Sequence, residues 1–550
     1  MATFADLIRA RAGDEHPGLR FEDQEYSWAR IVREAELRAA LALETREPDR
    51  PFHLGVLLEN VPEYIFWIFA AALSGAAVVG INPTRRGGEL AADIRHTDCR
   101  SIVTDTAHSA LLDGLDLGLP AGRVLLTDTA AHRDARARLC AAEAGAIVAA
   151  RPAPRPQDVL LLLFTSGSTG RPKAVICGQG RLAAIAARGS AFGIGRDAVT
   201  YLAMPLFHGN AVMANLAMAT AAGATVAMRR RFSASEFLAD VRRHGVTYFN
   251  YVGRALAYIL ATPEREDDAR NPLRAAFGTE ASARDLAEFA RRFDAEIIEG
   301  YGSSEGAITI NKVPGTPPDA LGLPPEGADV AVHDPGTGRE CPRALFDAAG
   351  GLVNADRAIG EIVRRDASFE GYYADPEADA RRLRDGLYWS GDLGYRDQAG
   401  YFYFAGRDAD RLRVDSENFA AAPVERILAR YPGTVMCAVY AVPDPRTGDQ
   451  VMATLELGGG LDPDGFAAFL SAQPDLGTKW APRFVRVTRR MPLTATNKVD
   501  RNGLRRERWE CADPVWWRPA RDLSFVPLTE EARSELRARF AEFGRTRLLL

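Results

Sequence analysis

Hydrophobic positions in the first half of the chain come in two textures. Short aliphatic and β-branched runs recur at 54–58 (LGVLL), 101–104 (SIVT), 124–127 (VLLT), 159–164 (VLLLLF), 224–228 (ATVAM) and 246–252 (VTYFNYV), and read as buried strands. Between them lie longer Ala/Arg-rich stretches with helical spacing, such as 29–44 and 234–244. Strands separated by helices predict parallel βαβ units, an α/β fold. The longest apolar run, Ile65 to Ile81, falls short of the ~20 residues a spanning helix needs. Its Gly75 and Gly80 suit a core helix feeding a core strand instead.

Near residue 320 the pattern changes. Pro and Gly grow denser (PGTPPDALGLPPEG), and a hairpin, YWSGDLGYRDQAGYFYFAGR, turns at Gln398-Ala399-Gly400. A second α/β pattern follows: the helix AAAPVERILARY, the strands VMCAVYAVP and TLEL, a helix over 464–472 and the strand FVRVT. The expected division is a domain over 1–408, a smaller one over 409–511, and an extension over 512–550 that carries Trp516-Trp517 and the helical segment EEARSELRARFAEFG and lies on or near the small domain. A chain of 550 residues needs more than one domain, because a single core stops growing near ~250–300 residues.

Composition narrows the function classes. With 47% hydrophobic and 26% charged residues the chain is globular rather than disordered or collagen-like. A net charge of -5 argues against a nucleic-acid partner. The six cysteines are scattered with no CxxC pair, and the opening MATFADLIRARAGDE has no apolar secretory core, so a cytoplasmic protein without a membrane segment is expected, as a monomer or homodimer. Of 68 basic residues only four are lysines: Lys173, Lys312, Lys479 and Lys498. A lysine retained against that bias marks a place where a compact ammonium matters.

The strongest local signal is LLLLFTSGSTGRPKAV, residues 160–175. A buried strand runs into hydroxyl and glycine residues and then a lysine. Glycines let backbone N–H groups approach phosphate oxygens, hydroxyls add donors and Lys173 adds a cation. The spacing is not that of a P-loop, because Lys173 follows Pro172 and precedes Ala174.

This segment resembles the phosphate-binding signature of the adenylate-forming superfamily, and five further segments follow in the family's order. They are MPLFHGN (204–210), EGYGSSEG (299–306), YWSGDLG (388–394), GRDAD (406–410) and PLTATNK (492–498). The resemblance implies a large N-terminal domain with parallel-sheet αβαβα layers and a small β-barrel-like subdomain, then a small mobile α+β domain. It also implies the reaction: ATP and an acid give an acyl-adenylate and pyrophosphate, and coenzyme A then displaces AMP. Thr165, Ser166, Gly167, Ser168, Thr169, Gly170 and Lys173 would cradle phosphates; Gly278, Thr279, Glu280, Gly300, Tyr301, Gly302, Ser303 and Ser304 would surround the adenylate; Asp392 and Arg407 would take the ribose. Glu305, with Thr169, would hold Mg²⁺, a carboxylate task for a hard cation. Lys498 would stabilise the charge that builds as carboxylate meets α-phosphate. His208 would orient the acid or gate its tunnel, beside Phe207, Tyr251, Val252 and Arg254, and Asp410 would be the hinge.

The segment YVGRAL (251–256) resembles the YIGEL stretch of the fatty-acid-transport-protein, very-long-chain branch, and RLRVDSEN (411–418) resembles its FRWKGEN stretch. Ser416 stands where a pantetheine-path Gly is usual, Gly278-Thr279-Glu280 replaces GNG, and Arg254 replaces a Glu. These departures leave the acid open among small, aromatic and fatty types. They also keep two alternatives in view: an adenylating enzyme with a non-CoA acceptor, such as an amine ligase or a nitrite-using diazotase, and a catalytically silent adenylate binder.

Overall fold

The computed structural model describes the chain except residues 1, 140, 166–172, 253, 280, 282, 318–319, 348–351, 408–410, 415–416, 446–448, 474–475, 478, 495–497, 521, 544 and 550, and the side chains of 141–142, 254, 283, 407, 411, 413, 417–418, 420 and 547. It divides into two compact units: residues 1–307 with 368–381, and residues 308–367 with 382–550. The expected boundary at 408/409 therefore lies inside the second unit. A short segment, 368–381, returns to the first.

The first unit holds two sheets. One runs in the order Val124–Leu126, Ser101–Thr104, His53–Leu57, Ala77–Gly80, Val159–Thr165, all parallel, with Lys173–Gly178 antiparallel at the edge. The other contains Glu296–Gly302, Ala275–Thr279, Tyr248–Val252, Val199–Leu202, Thr225–Met228 and Pro17–Phe21, parallel throughout, with Gln24–Ser27 antiparallel beside the last. The predicted strands and the helices Trp28–Glu44 and Phe237–His244 fall where the periodicity puts them. The strands over 275–279 and 296–302 escape that reading, because glycines and polar residues interrupt their apolar pattern.

The run Ile65 to Ile81 folds as the helix Pro62–Ser74 and the strand Ala77–Gly80. Every residue from Tyr64 to Ser74 is buried, as expected for a helix apolar on all sides. Pro62 opens it and Gly75, at φ +75°, closes it in the left-handed cap glycine favours. Gln179, itself fully buried, accepts from the Ala5 N–H (3.1 Å) and donates to the Ala72 carbonyl (2.9 Å), locking three helices together.

The polar exception in this core is an ion cluster. Arg38, 1% exposed, donates from Nε to Glu63 Oε1 (2.6 Å) and from Nη1 to Glu34 Oε2 (2.7 Å), and Trp67 Nε1 donates to Glu63 Oε1 (2.8 Å). Burial alone would raise the Glu63 pKa. The Arg38 charge, the His132 ring nitrogen 3.5 Å away and the hydrogen bonds from Arg38 outweigh it and hold the carboxyl at about 2.

In the second unit, Val330–His333, Gly360–Arg365, Leu387–Arg396 and Phe402–Arg407 form an antiparallel sheet, and the predicted hairpin over 388–407 is its last pair. A further sheet combines Thr434–Pro443, Asp449–Leu457, Phe484–Thr488, Val515–Trp517 and Val526–Pro527. Its core runs from Leu412 to Phe525, so chain beyond 511 contributes both strands and core to it. The tail helix, Glu530–Glu542, sets Phe540 against Trp509, ring centroids 6.1 Å apart. Among the described residues no helix is long and apolar enough to cross a membrane.

Candidate active site

In open parallel sheets, function collects at the carboxyl ends of the strands. Here each motif of the first unit leaves such an end. Val159–Thr165 leads toward residues 166–172, Val199–Leu202 into MPLFHGN, Tyr248–Val252 toward the helix that starts at Arg254, Ala275–Thr279 ends on Gly278-Thr279, and Glu296–Gly302 runs into Ser303-Ser304-Glu305. Thr165 and Lys173 face each other across the antiparallel pair, so the loop between them begins and ends at one place. Ser166, Gly167, Ser168, Thr169 and Gly170 lie outside the described residues, as do Glu280 and Asp410.

Lys173 is 5% exposed and Glu305 7%. Tyr372 stands between them. Its hydroxyl donates to Glu305 Oε1 at 2.8 Å, and Lys173 Nζ lies 5.2 Å from its ring centroid. The turn carrying Glu305 closes through the Gly306 N–H and the Ser303 carbonyl (2.9 Å), with Gly306 at φ +64°. Arg181 fixes that turn to the sheet edge, donating to the carbonyls of Ser304 and of Ile176 (2.9 Å for the latter). A Cβ on residue 306 would strike the Arg181 guanidinium, at 2.4 Å.

The segment 204–210 is fixed from both sheets. Asn60, 3% exposed, donates to the carbonyls of Met204 (2.9 Å) and Arg229 (3.2 Å) and accepts from the Leu206 N–H (2.9 Å). Gly80 lies so close beneath that a Cβ there would sit 2.7 Å from the Phe207 carbonyl oxygen. Asn250 donates to Asn210 Oδ1 and Asn215 to Asn250 Oδ1, both at 2.7 Å, while Thr200 donates to Asn215 Oδ1 at 2.8 Å. Asn215 sits in a π-helical turn, Val212–Leu216, which aims its amide at this relay. His208 is half-buried, and its Nδ1 accepts from the Asn210 N–H at 3.3 Å, so the neutral ring carries its proton on Nε2.

Tyr251 and Val252, expected beside the acid, are 0% and 3% exposed. The Tyr251 ring lies flat over Gly278, where a Cβ would meet it at 2.4 Å, and its hydroxyl points at Glu299 Oε1 (3.4 Å), which also accepts from the Ala281 N–H (3.0 Å). Burial first, and the Glu299 charge second, push the Tyr251 pKa far up, so it remains a donor. Arg254 opens the helix Arg254–Leu260, and its side chain lies outside the described set.

Asp392, Arg407 and Lys498 belong to the second unit. Asp392 is 8% exposed and pairs across the strands with Arg407. A bulge puts it there: Glu361 faces Leu393 while Val363 faces Trp389, so Ser390 to Asp392 are displaced from the ladder. Gly391 takes φ +73° within the bulge, and its N–H donates to Glu361 Oε1 (2.5 Å). Lys498 closes a small loop, its carbonyl accepting from the Thr494 N–H (2.7 Å) and its N–H donating to Thr494 Oγ1 (3.2 Å).

Comparison with known proteins decides the family. The AMP-binding enzyme family matches residues 8–373, and the AMP-binding enzyme C-terminal domain matches residues 423–498. The chain belongs to the AMP-binding enzymes. Within the family it is similar to the steroid-22-oyl-CoA synthetase of Rhodococcus jostii RHA1, 52% identical over 100% of this chain and 99% of that one. The medium/long-chain-fatty-acid–CoA ligase FadD17 of Mycobacterium marinum is 45% identical over 94% of this chain and 97% of the relative. The crystal structure of ATP-bound MatB from Rhodopseudomonas palustris shares the fold at TM-score 0.78 and 22% identity, covering 91% of this chain and 97% of that one.

Sequence reasoning missed Tyr372, Asn60 and Arg181. Tyr372 is 67 residues from Glu305 in the chain, and Asn60 is 144 from Met204. No local pattern marks either as a partner.

Proposed function

We propose that this chain is an ATP-dependent acyl-CoA synthetase acting on a carboxylic acid with a bulky apolar body, a steroid side-chain acid or a medium- to long-chain fatty acid. The carboxylate attacks the α-phosphate of ATP and expels pyrophosphate; the CoA thiol then attacks the acyl carbon, loses its proton and releases AMP. The single observation that carries this reading is the 52% identity, over essentially the whole of both chains, to a steroid-22-oyl-CoA synthetase. That relative and the fatty-acid–CoA ligase both have CoA in their names, which favours CoA over an amine or nitrite acceptor and over a silent binder.

The roles in this reading are those the family pattern supports. The loop after Thr165, with Lys173, cradles the phosphates. Tyr301 covers the adenine, and Asp392 with Arg407 holds the ribose. His208, with Nδ1 occupied, offers Nε2–H to the acid carboxylate. Lys498 meets the charge of the adenylation transition state, and Asp410 is the hinge of a moving domain over 409–511, with 512–550 as its extension.

Among the described residues no cluster of three His, Cys, Asp or Glu could cage a metal. The buried Glu305 carboxylate suits Mg²⁺, which keeps water and phosphate ligands and needs only one or two protein carboxylates. Glu305, with the hydroxyl of Thr169, would hold it, and when bound it would offset charge on the ATP phosphates. The scattered spacing of the cysteines in the sequence favours a cytoplasmic location.

The test is thioester formation, read by product mass, with ATP, CoA and a panel of steroid, fatty, aromatic and short acids. Steroid or fatty acyl-CoA products are expected. Turnover confined to short or aromatic acids, or product formed equally without CoA, would refute the reading.

A further inference from the structure

Tyr372 reaches the phosphate end of the site on a segment that leaves the first unit and comes back to it. Residues 308–367 and 382 onward belong to the second unit, whereas 368–381 belongs to the first. The returning segment pairs with the edge strand Lys173–Gly178. The Ile176 N–H donates to the Gly371 carbonyl (3.1 Å), the Tyr373 N–H donates to the Ala174 carbonyl (2.8 Å), and Glu370 Oε2 accepts from the Gly178 N–H (2.9 Å). Tyr373 anchors the outer side, its hydroxyl donating to Asp98 Oδ2 (2.8 Å) and its ring set edge-on to His53, centroids 5.0 Å apart. Asp379 Oδ1 accepts from the Tyr372 N–H at 2.8 Å. The backbone of residue 372 is therefore held from both sides.

Its side chain is 3% exposed and packs with Val175, Ala378 and Phe369. From that seat it makes two contacts. The hydroxyl donates to Glu305 Oε1 at 2.8 Å, and the ring face lies 5.2 Å from Lys173 Nζ. A hydrogen bond to an ionised carboxylate is stronger than a neutral one, and it uses one of about four lone-pair sites. It restrains the carboxylate and by itself occupies only one of its acceptor sites. An aromatic face near an ammonium holds the charge without neutralising it, as a carboxylate would. The ring thus places Lys173 without itself taking up the charge.

We infer that Tyr372 is a positioning residue for the triphosphate end of the site, setting Glu305 for the metal and Lys173 for the phosphates through one side chain. This deepens the reading of those two residues and rests on it.

The test is ATP binding by isothermal titration calorimetry on the full chain, in EDTA and in Mg²⁺, for the wild type, Tyr372→Phe, Tyr372→Leu and Glu305→Gln. Tyr372→Phe keeps the ring and all backbone pairing. It is expected to cut the Mg²⁺-dependent gain in ATP affinity about ten-fold while leaving affinity in EDTA unchanged. Tyr372→Leu is expected to lose that gain and also to weaken ATP in EDTA a few-fold, as the ring face is gone. Glu305→Gln should lose the Mg²⁺ gain. If it does and Tyr372→Phe does not, the inference fails and the reading of Glu305 stands. If Glu305→Gln keeps the gain, both fail. An equal loss with and without Mg²⁺ in Tyr372→Phe would mark a merely structural residue and overturn the inference. Equal EDTA affinities for the Phe and Leu variants would overturn its Lys173 half.

Discussion

Asp392 and Arg407 are direct cross-strand partners, although fifteen positions of hairpin separate them in the chain. The bulge over Ser390–Asp392 takes Asp392 out of the pairing with the strand on its other side, so its carboxylate is displaced from the regular ladder. With both residues assigned to the ribose, Asp392→Ala should raise the KM for ATP about 10–100-fold with a smaller change in kcat. ATP–pyrophosphate exchange at varied ATP reads this directly. An unchanged KM would remove Asp392 from the nucleotide site.

The role proposed for Lys498 lies in the first half-reaction and not in the second. Lys498→Ala should lower adenylation by about 10²–10³-fold. Thioester formation from supplied acyl-AMP should persist, because no attack on the α-phosphate remains in that step. Pyrophosphate release and CoA-thioester formation are measured separately. Adenylation at the wild-type rate would remove the lysine from the mechanism.

Asn60 holds the His208 segment through two backbone hydrogen bonds, at Met204 and Leu206, and ties it to the Arg229 carbonyl through a third. Asn60→Ala leaves the Leu206 N–H and two carbonyls buried without it, and should cost about 2–4 kcal/mol of stability. Denaturant unfolding gives the stability. Turnover should fall as well, since Phe207 and His208 follow the loop; stability loss with undiminished turnover would separate the loop from the chemistry.

Gly278 is enclosed by the Tyr251 ring. Gly278→Ala puts a methyl group where the ring lies, and the ring cannot retreat without disturbing the core around Phe249 and its contact with Glu299. Destabilisation of about 1–3 kcal/mol is expected. The double variant Gly278→Ala, Tyr251→Leu should recover part of it, read by thermal unfolding.

The Glu63 carboxyl sits at about 2 in the folded chain against an ordinary 4.5. A depressed carboxyl contributes stability that is full above its unfolded pKa and lost as pH falls through the folded one. Stability should therefore decline between pH about 4.5 and about 2, and Glu63→Gln should flatten that slope. At neutral pH the same variant leaves Arg38 buried with less opposing charge and should cost about 3 kcal/mol. Urea midpoints across the acid range test both.

Local pattern in the sequence determined much of this protein. A strand followed by small hydroxyl residues, glycines and a lysine is legible because phosphate chemistry needs those residues within one turn. The helix over 62–74 and the strands over 159–165 and 434–443 are legible because burial imposes an apolar period on consecutive positions. The family also follows from such segments, each short and ordered along the chain.

Only the tertiary structure decided who holds whom. Tyr372 and Glu305 meet because a segment from beyond the second unit's first strands returns to the edge of a sheet built near the N-terminus. Asn60 meets Met204 because two sheets bring their carboxyl ends together. Tyr251, which the resemblance of YVGRAL puts beside the acid, is buried with its hydroxyl toward Glu299. Such contacts depend on the closure of long loops and on packing between layers. Neither leaves a periodic trace among neighbouring residues, so the sequence alone carries the chemistry of the parts but not their pairing.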